Sequence, residues 1–341
     1  MDKAAASGEF ELIARLTQNL HSHEHAVLGV GDDCAILDLG GDEWLLVTCD
    51  SQVEGVHFTL QTSSPVQIGH KALAINLSDI AAMGGEPRYA LISLILPKQL
   101  SVEILDGIYD GLREEAERYG TAIVGGNIAG AGNSKNLIID ITLLGTVGRG
   151  QALTRSGARV GDTLCVTGSL GDSAAGLHTL LHPDPRYPQE ALAFVLAHHR
   201  TPQPRVREGQ ILSRFGPEVV TAMLDISDGL SGDLGHLCER SHVGARVDLA
   251  RLPLSPAIYS VSAIAERNPL HWAMHGGEDY ELLFTISPGH EQAVIDAVQA
   301  ATGTSVTAIG TLLPAEEGLQ QLSSDGRIEP LIVQSWDHIK L

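Results

Sequence analysis

Acidic residues set in short stretches that hold no basic residue constrain this chain more than any other feature. Five short stretches, GVGDDCAIL, VTCDSQVEGVHF, INLSDIAAMGG, DISDGLSGDL and HGGEDYELL, set Asp and Glu among Gly, Ser and Asn, without Lys or Arg, beside apolar strand-like runs. Carboxylates on a solvated face usually alternate with cations, so these islands need another source of positive charge. Hard divalent cations take oxygen ligands, and Mg²⁺ bridging carboxylates to phosphates is the commonest such arrangement. The pattern points to a metal-dependent, phosphate-handling enzyme.

With 341 residues, 43% of them hydrophobic, the chain can bury a sizeable core, and roughly two domains are expected. A formal net charge of -20 argues against nucleic acid or an anionic membrane as partner. It also means that phosphoanions need cations at the site, because the chain has only five lysines (Lys3, Lys71, Lys98, Lys135 and Lys340). Cys34, Cys49, Cys165 and Cys238 are widely spaced with no CxxC pair, which indicates neither a zinc site nor a disulfide framework. A reduced, cytoplasmic setting is expected, since MDKAAASGEF is no apolar leader and no apolar run approaches spanning length.

Phe10, Ile13, Leu16 and Leu20 predict an opening amphipathic helix over 9–20. Strands are expected at 27–30, 34–38 and 44–49, then a long helix at 65–83 carrying Lys71, Asn76 and Asp79. Strand 89–96, helix 102–118 and strands 121–124 and 137–147 follow. The stretch GRGQALTRSGARVGD suits a domain crossing, giving domains 1–150 and 151–341. Beyond it the pattern predicts strand 163–167, helices 171–182, 188–199 and 204–214, strand 220–225, helix 228–240 and strand 244–249. Mixed order without strict alternation indicates two α/β or α+β domains.

Asp32 and Asp33 lie at a glycine turn between strands, where a turn alone would also explain the Gly-Asp pair. Thr48 and Asp50 end the next strand, where a hydroxyl and a carboxylate can both reach a metal. Asp79 sits among Leu77, Ile80, Ala81 and Ala82, a setting in which an unpaired carboxylate is costly. Lys71 is too distant along the helix for an i,i+4 pair with it, which favours a metal partner. In DISDGLSGDL, Asp225 ends a strand, while Ser227 or Asp228 can cap the following helix. Glu278 and Asp279 follow two glycines, which allow close backbone approach or simply a turn. GGNIAGAGN at 125–133 reads as a glycine-rich loop suited to phosphate. HSHEH at 21–25 and His198-His199 read as solvated surface, whereas His57 lies inside an acidic island.

In this order the motifs GDDCA, EGVHF, KALAINLSDIAAMG, LTRSGARVGD, TGSLGDSAAGL, DISDGL and GGEDYEL resemble the thiamine-monophosphate kinase family. That family belongs to the ATP-binding superfamily that includes aminoimidazole ribonucleotide synthetase. The resemblance covers nearly the whole chain. It implies an N-terminal domain whose strands pair across a homodimer into a barrel, with a C-terminal α/β domain beside it. It also implies Mg²⁺ ligands at Asp33, Thr48, Asp50, Asp79, Asp225 and Asp228. Gly126, Asn127, Arg155 and Ser227 would meet ATP, with Arg155 and Asp228 supporting catalysis, and His57, Glu278 and Trp336 would meet thiamine monophosphate. The family often has Gly-Asp where Gly126-Asn127 stands, and a hydroxyl residue where Cys49 stands. Asn127 can still offer a carbonyl oxygen, but without charge.

The implied reaction converts ATP and thiamine monophosphate into ADP and thiamine diphosphate. Superfamily members that use selenide need a reactive Cys near a glycine-rich N-terminus, and those that process a carbamoyl group end in cysteine, whereas this chain ends DHIKL. The competing class is a catalytically silent nucleotide or thiamine-phosphate sensor.

Overall fold

A computed structural model describes residues 8–21 and 23–334, so Trp336 lies outside the described residues. The first sheet takes its shape from two alternating segments, β4 (Glu86–Leu96) and β6 (Ile138–Gly148). Ala90, Ile92 and Leu94 on one, and Ile139, Ile141 and Leu143 on the other, turn to a common buried face. With β1 (Ala26–Leu28), β2 (Ala35–Leu37), β3 (Glu43–Val53) and β5 (Ala122–Gly130) they form a sheet of order β1-β2-β3-β6-β4-β5. β4 and β5 run parallel, joined by the crossover helix α3 (Val102–Arg118), as parallel neighbours require.

The long helix α2 (Pro65–Ala82) covers the buried face and is itself buried almost all round. Ser64 and Gln67 close its N-terminus with a reciprocal capping box, and Pro65 begins it. α3 approaches it through glycines: a Cβ at Gly69 would stand 1.9 Å from the Ile108 carbonyl oxygen, and one at Gly111 1.9 Å from that of Val66. The opposite face of the sheet stays open, with Tyr89 and Leu91 exposed on it.

The second sheet has the order β13-β12-β9-β11-β7-β10-β8, with β7 (Thr163–Thr167) and β10 (Leu282–Ile286) inside it and β8 (Val220–Asp225) at one edge. Every residue of β8 and β10 is buried. The sheet is completed by β9 (Val243–Asp248), β11 (Val306–Pro314), β12 (Leu319–Leu322) and, at the other edge, β13 (Ile328–Pro330). Helices α4 (Asp172–Leu181), α5 (Gln189–Arg200), α6 (Val206–Arg214), α7 (Leu230–Ser241), α8 (Pro256–Ala265), α9 (Pro269–His275) and α10 (Glu291–Thr302) pack around it. One buried apolar cluster runs from Ile92 and Leu143 through α2 to Met223 and Phe284, so α2 is shared by both sheets. The architecture is the expected two-sheet α/β one.

Three expectations change. Strand β3 does not end at residue 49, because its ladder with β6 continues to Val53↔Ile138. Thr48 and Asp50 therefore lie mid-strand on one face. The glycine-rich segment after 124 is not a loop through 133: it continues β5 to Gly130, held by a parallel ladder to β4. Helix α7 begins only at Leu230, with Gly229 at its N-cap and no side-chain capping bond, so neither Ser227 nor Asp228 caps it.

Candidate active site

The acidic islands converge because the elements and turns that carry them face one cleft between the two sheets. On α2, Lys71, Ile75, Ser78 and Asp79 share one face at i, i+4, i+7 and i+8. Asp33 comes from the β1–β2 turn, Thr48 and Asp50 from β3, and Asp225, Ser227 and Asp228 from the end of β8. Carboxylate oxygens of Asp33, Asp79 and Asp225 lie within 4.8 Å of one another. Thr48 donates a hydrogen bond to Asp79, Ser78 Oγ donates to Asp225 Oδ2 at 2.6 Å, and the Asp50 backbone N–H donates to Asn76 at 3.2 Å. Asp225 is pushed up to about 7, first by burial and then by the charge of Asp33. Burial and the charges of Asp50, Asp225 and Asp33 push Asp79 well above the carboxylate range.

Arg155 brings the nearest fixed cation. Its guanidinium pairs with Asp33, and its backbone N–H donates to Asp32 at 3.1 Å. Desolvation works against its charge, but Asp33 outweighs that and raises its pKa. The other Asp33 oxygen, Oδ2, is buried and has no hydrogen-bond partner among the described residues. An orphaned carboxylate oxygen among oxygen-only donors fits a hard divalent cation of the Mg²⁺ type.

These groups line one cavity of about 1280 Å³, above the roughly 300–1,000 Å³ typical of a single small-ligand site. Asp33, Thr48, Asp50, Asp79, Arg155, Asp225, Ser227, Asp228, His57 and Glu278 all line it. The Val53 N–H donates to His57 Nδ1 at 3.0 Å, which leaves Nε2 to carry the proton of the neutral ring. Gly126 and Asn127 do not line the cavity. Asn127 pairs with Ser93, in one row with Asp140 and Ser51, about 14 Å from β3 at the usual strand spacing.

Two residues near the site carried no signal of function in the sequence reading. His199 is buried, not solvated, and its Nδ1 lies 3.2 Å from Glu278 Oε2. The i, i+4, i+8 stripe of Ala191, Val195 and His199 along α5 marks the inward face and could have found it. Lys71 pairs across the cleft with Glu278 at 2.6 Å rather than with any residue of its own helix. Burial opposes the charge on Glu278, but Lys71 and His199 outweigh it and hold its pKa at about 2.

Residues 31–147 match the family described as AIR synthase related protein, N-terminal domain, and residues 159–319 match AIR synthase related protein, C-terminal domain. Fold and cleft thus define a two-domain protein of the AIR synthase related class. The chain is 39% identical to the thiamine-monophosphate kinase of Escherichia coli O157:H7 over 98% of each chain. It is 35% identical to that of Bacillus subtilis (strain 168), covering 97% of this chain and 99% of the relative. The solved structure of AaThiL complexed with AMPPCP and TMP superposes with a TM-score of 0.85 at 33% identity, covering 99% of both chains. The chain belongs to the thiamine-monophosphate kinase family. The E. coli hydrogenase maturation protein HypE, 21% identical with a TM-score of 0.70 over 97% of this chain and 99% of that one, shares the fold.

Proposed function

We propose that this chain transfers the γ-phosphoryl group of ATP to thiamine monophosphate, giving ADP and thiamine diphosphate, the last step of thiamine diphosphate biosynthesis. The observation that carries this reading is the Asp33, Asp79 and Asp225 cluster with its orphaned oxygen, set in a cavity large enough for two phosphorylated ligands. Asp33, Thr48, Asp50, Asp79, Asp225 and Asp228 would hold Mg²⁺, which when bound offsets phosphate charge and aligns the γ-phosphate. The attacking phosphate oxygen is already anionic at neutral pH, so no strong general base is required. Arg155 keeps a delocalised cation at the phosphate end of the cavity, and Ser227 offers it a hydroxyl. His57 and Glu278 present a ring N–H and a carboxylate to the organic substrate. The assignment of Gly126 and Asn127 to ATP, and of Trp336 to thiamine, rests on resemblance alone.

We further propose a homodimer through the open face of the first sheet, where Tyr89 is 51% and Leu91 40% exposed. Domains of 1–150 and 151–341 agree with β6 closing the first sheet at Gly148 and β7 opening the second at Thr163. A reduced cytoplasmic setting, without nucleic acid or membrane partners, fits the acidic charge and the four free cysteines; among the described residues no helix is long and apolar enough to cross a membrane. The decisive assay couples ADP release to thiamine, thiamine monophosphate, aminoimidazole ribonucleotide and formylglycinamidine ribonucleotide in turn. Turnover confined to thiamine monophosphate is expected. Equal turnover of a ribonucleotide, or nucleotide binding without turnover, would overturn the reading.

A further inference from the structure

Glu278 is held more firmly than a residue that merely lines a cavity needs to be. Its φ is +66° and that of Tyr280 is +50°, left-handed conformations that non-glycine residues avoid. The loop is latched to the end of β8, with Glu278 N–H donating to the Ser227 carbonyl at 2.7 Å and Tyr280 N–H to that of Ile226 at 2.9 Å. Gly277 lets this approach happen, because a Cβ there would stand 2.6 Å from the Ser227 carbonyl oxygen. Beyond the backbone, α2 supplies Lys71 to one carboxylate oxygen at 2.6 Å and α5 supplies His199 to the other at 3.2 Å. Ser173 Oγ from α4 lies 3.2 Å from the same His199 nitrogen. Elements of both sheets' layers therefore meet on one carboxylate.

Glu278, His199 and Ser173 line the cavity, whereas Lys71 does not. The Lys71 side chain is only 5% exposed, and an ammonium so buried needs its partner as much as the partner needs it. The pair has no net charge, so its attraction for a cationic ring is largely cancelled at the source. What Glu278 still offers to the cavity is lone pairs in a fixed direction. We propose that Lys71 is a positioning residue: standing behind Glu278, it fixes that carboxylate as a hydrogen-bond acceptor for an N–H group of the organic substrate, so that the site reads the amino group of thiamine monophosphate rather than its positive charge. This rests on the phosphotransfer reading above.

The test is a double-mutant cycle of Lys71→Met and Glu278→Gln, with KM for each substrate and melting temperature as readouts. Lys71→Met raises KM for thiamine monophosphate about 10-fold or more and shifts that for ATP by less than about 2-fold, while in the Glu278→Gln background it changes neither KM by more than about 2-fold. Melting falls in Lys71→Met, which strands a buried carboxylate, and recovers in the double variant. Oxythiamine monophosphate, with oxygen in place of the amino group, is disfavoured in kcat/KM by about 10-fold or more in the unaltered protein and by less than about 3-fold in Lys71→Met. Equal rises in both KM values, additive effects around the cycle, or unchanged discrimination would overturn the proposal. If Lys71→Met does not fold, the double variant decides, since it buries no unpaired charge: KM values equal to those of Glu278→Gln support the proposal, and a further rise in the KM for ATP overturns it. Absence of turnover by the unaltered protein defeats the phosphotransfer reading instead; the melting cycle still reads the coupling, and additivity there overturns it.

Discussion

Replacing Asp225 by Asn should stabilise the protein in the absence of divalent cations while abolishing its response to them. Burial, and then the charge of Asp33, push Asp225 up to about 7 in the folded chain, against an ordinary 3.8. A folded acid with a raised pKa holds its proton longer than the unfolded chain does, so stability falls as pH climbs from 3.8 and levels off above about 7. The difference amounts to about 4 kcal/mol at pH 8, counted once for a cluster whose members raise each other. For a chain of this length melting as one unit, that is about 6 °C. Asparagine removes the charge, yet its carbonyl can still accept the Ser78 hydrogen bond made at 2.6 Å.

Scanning calorimetry in EDTA should therefore find Asp225→Asn melting about 6 °C above the unaltered protein at pH 8, narrowing to about 2 °C at pH 5. Added Mg²⁺ should raise the melting temperature of the unaltered protein at pH 8 and leave the variant unmoved and inactive. Glu278, held at about 2, contributes stability that is lost only as pH falls from 4.5 toward 2, outside this window. A variant that melts lower than the unaltered protein at pH 8 without metal, or that keeps the Mg²⁺ response, refutes the reasoning.

Gly111→Ala should destabilise by about 1–3 kcal/mol in urea titrations, because its Cβ meets the Val66 carbonyl and must push α3 off α2. Arg155→Lys keeps the charge but loses the guanidinium fork on Asp33, and should raise KM for ATP by about 10-fold in steady-state assays with little change in KM for thiamine monophosphate. Leu91→Arg, on the open face of the first sheet, should leave the thermal melt of the fold visible while sedimentation equilibrium reports monomer.

The sequence alone was enough to identify the acidic islands, because carboxylates without basic neighbours state a need for cations wherever they fold. It was enough for α2, expected at 65–83 and found at Pro65–Ala82, and for β8 and β7, whose boundaries fall at the expected residues. Resemblance then gathered Asp33, Asp50, Asp79, Arg155 and Asp225 into one site, and the cavity contains them all. The extent of β3 and β5 was not legible: a Gly-rich edge strand looks like a loop until a ladder to β4 supplies its hydrogen bonds. The partner of Lys71 was likewise closed to a local reading. A helix shows its own apolar stripe in its sequence, but which distant carboxylate its ammonium meets depends on how two sheets close over α2, and only the tertiary structure decided that.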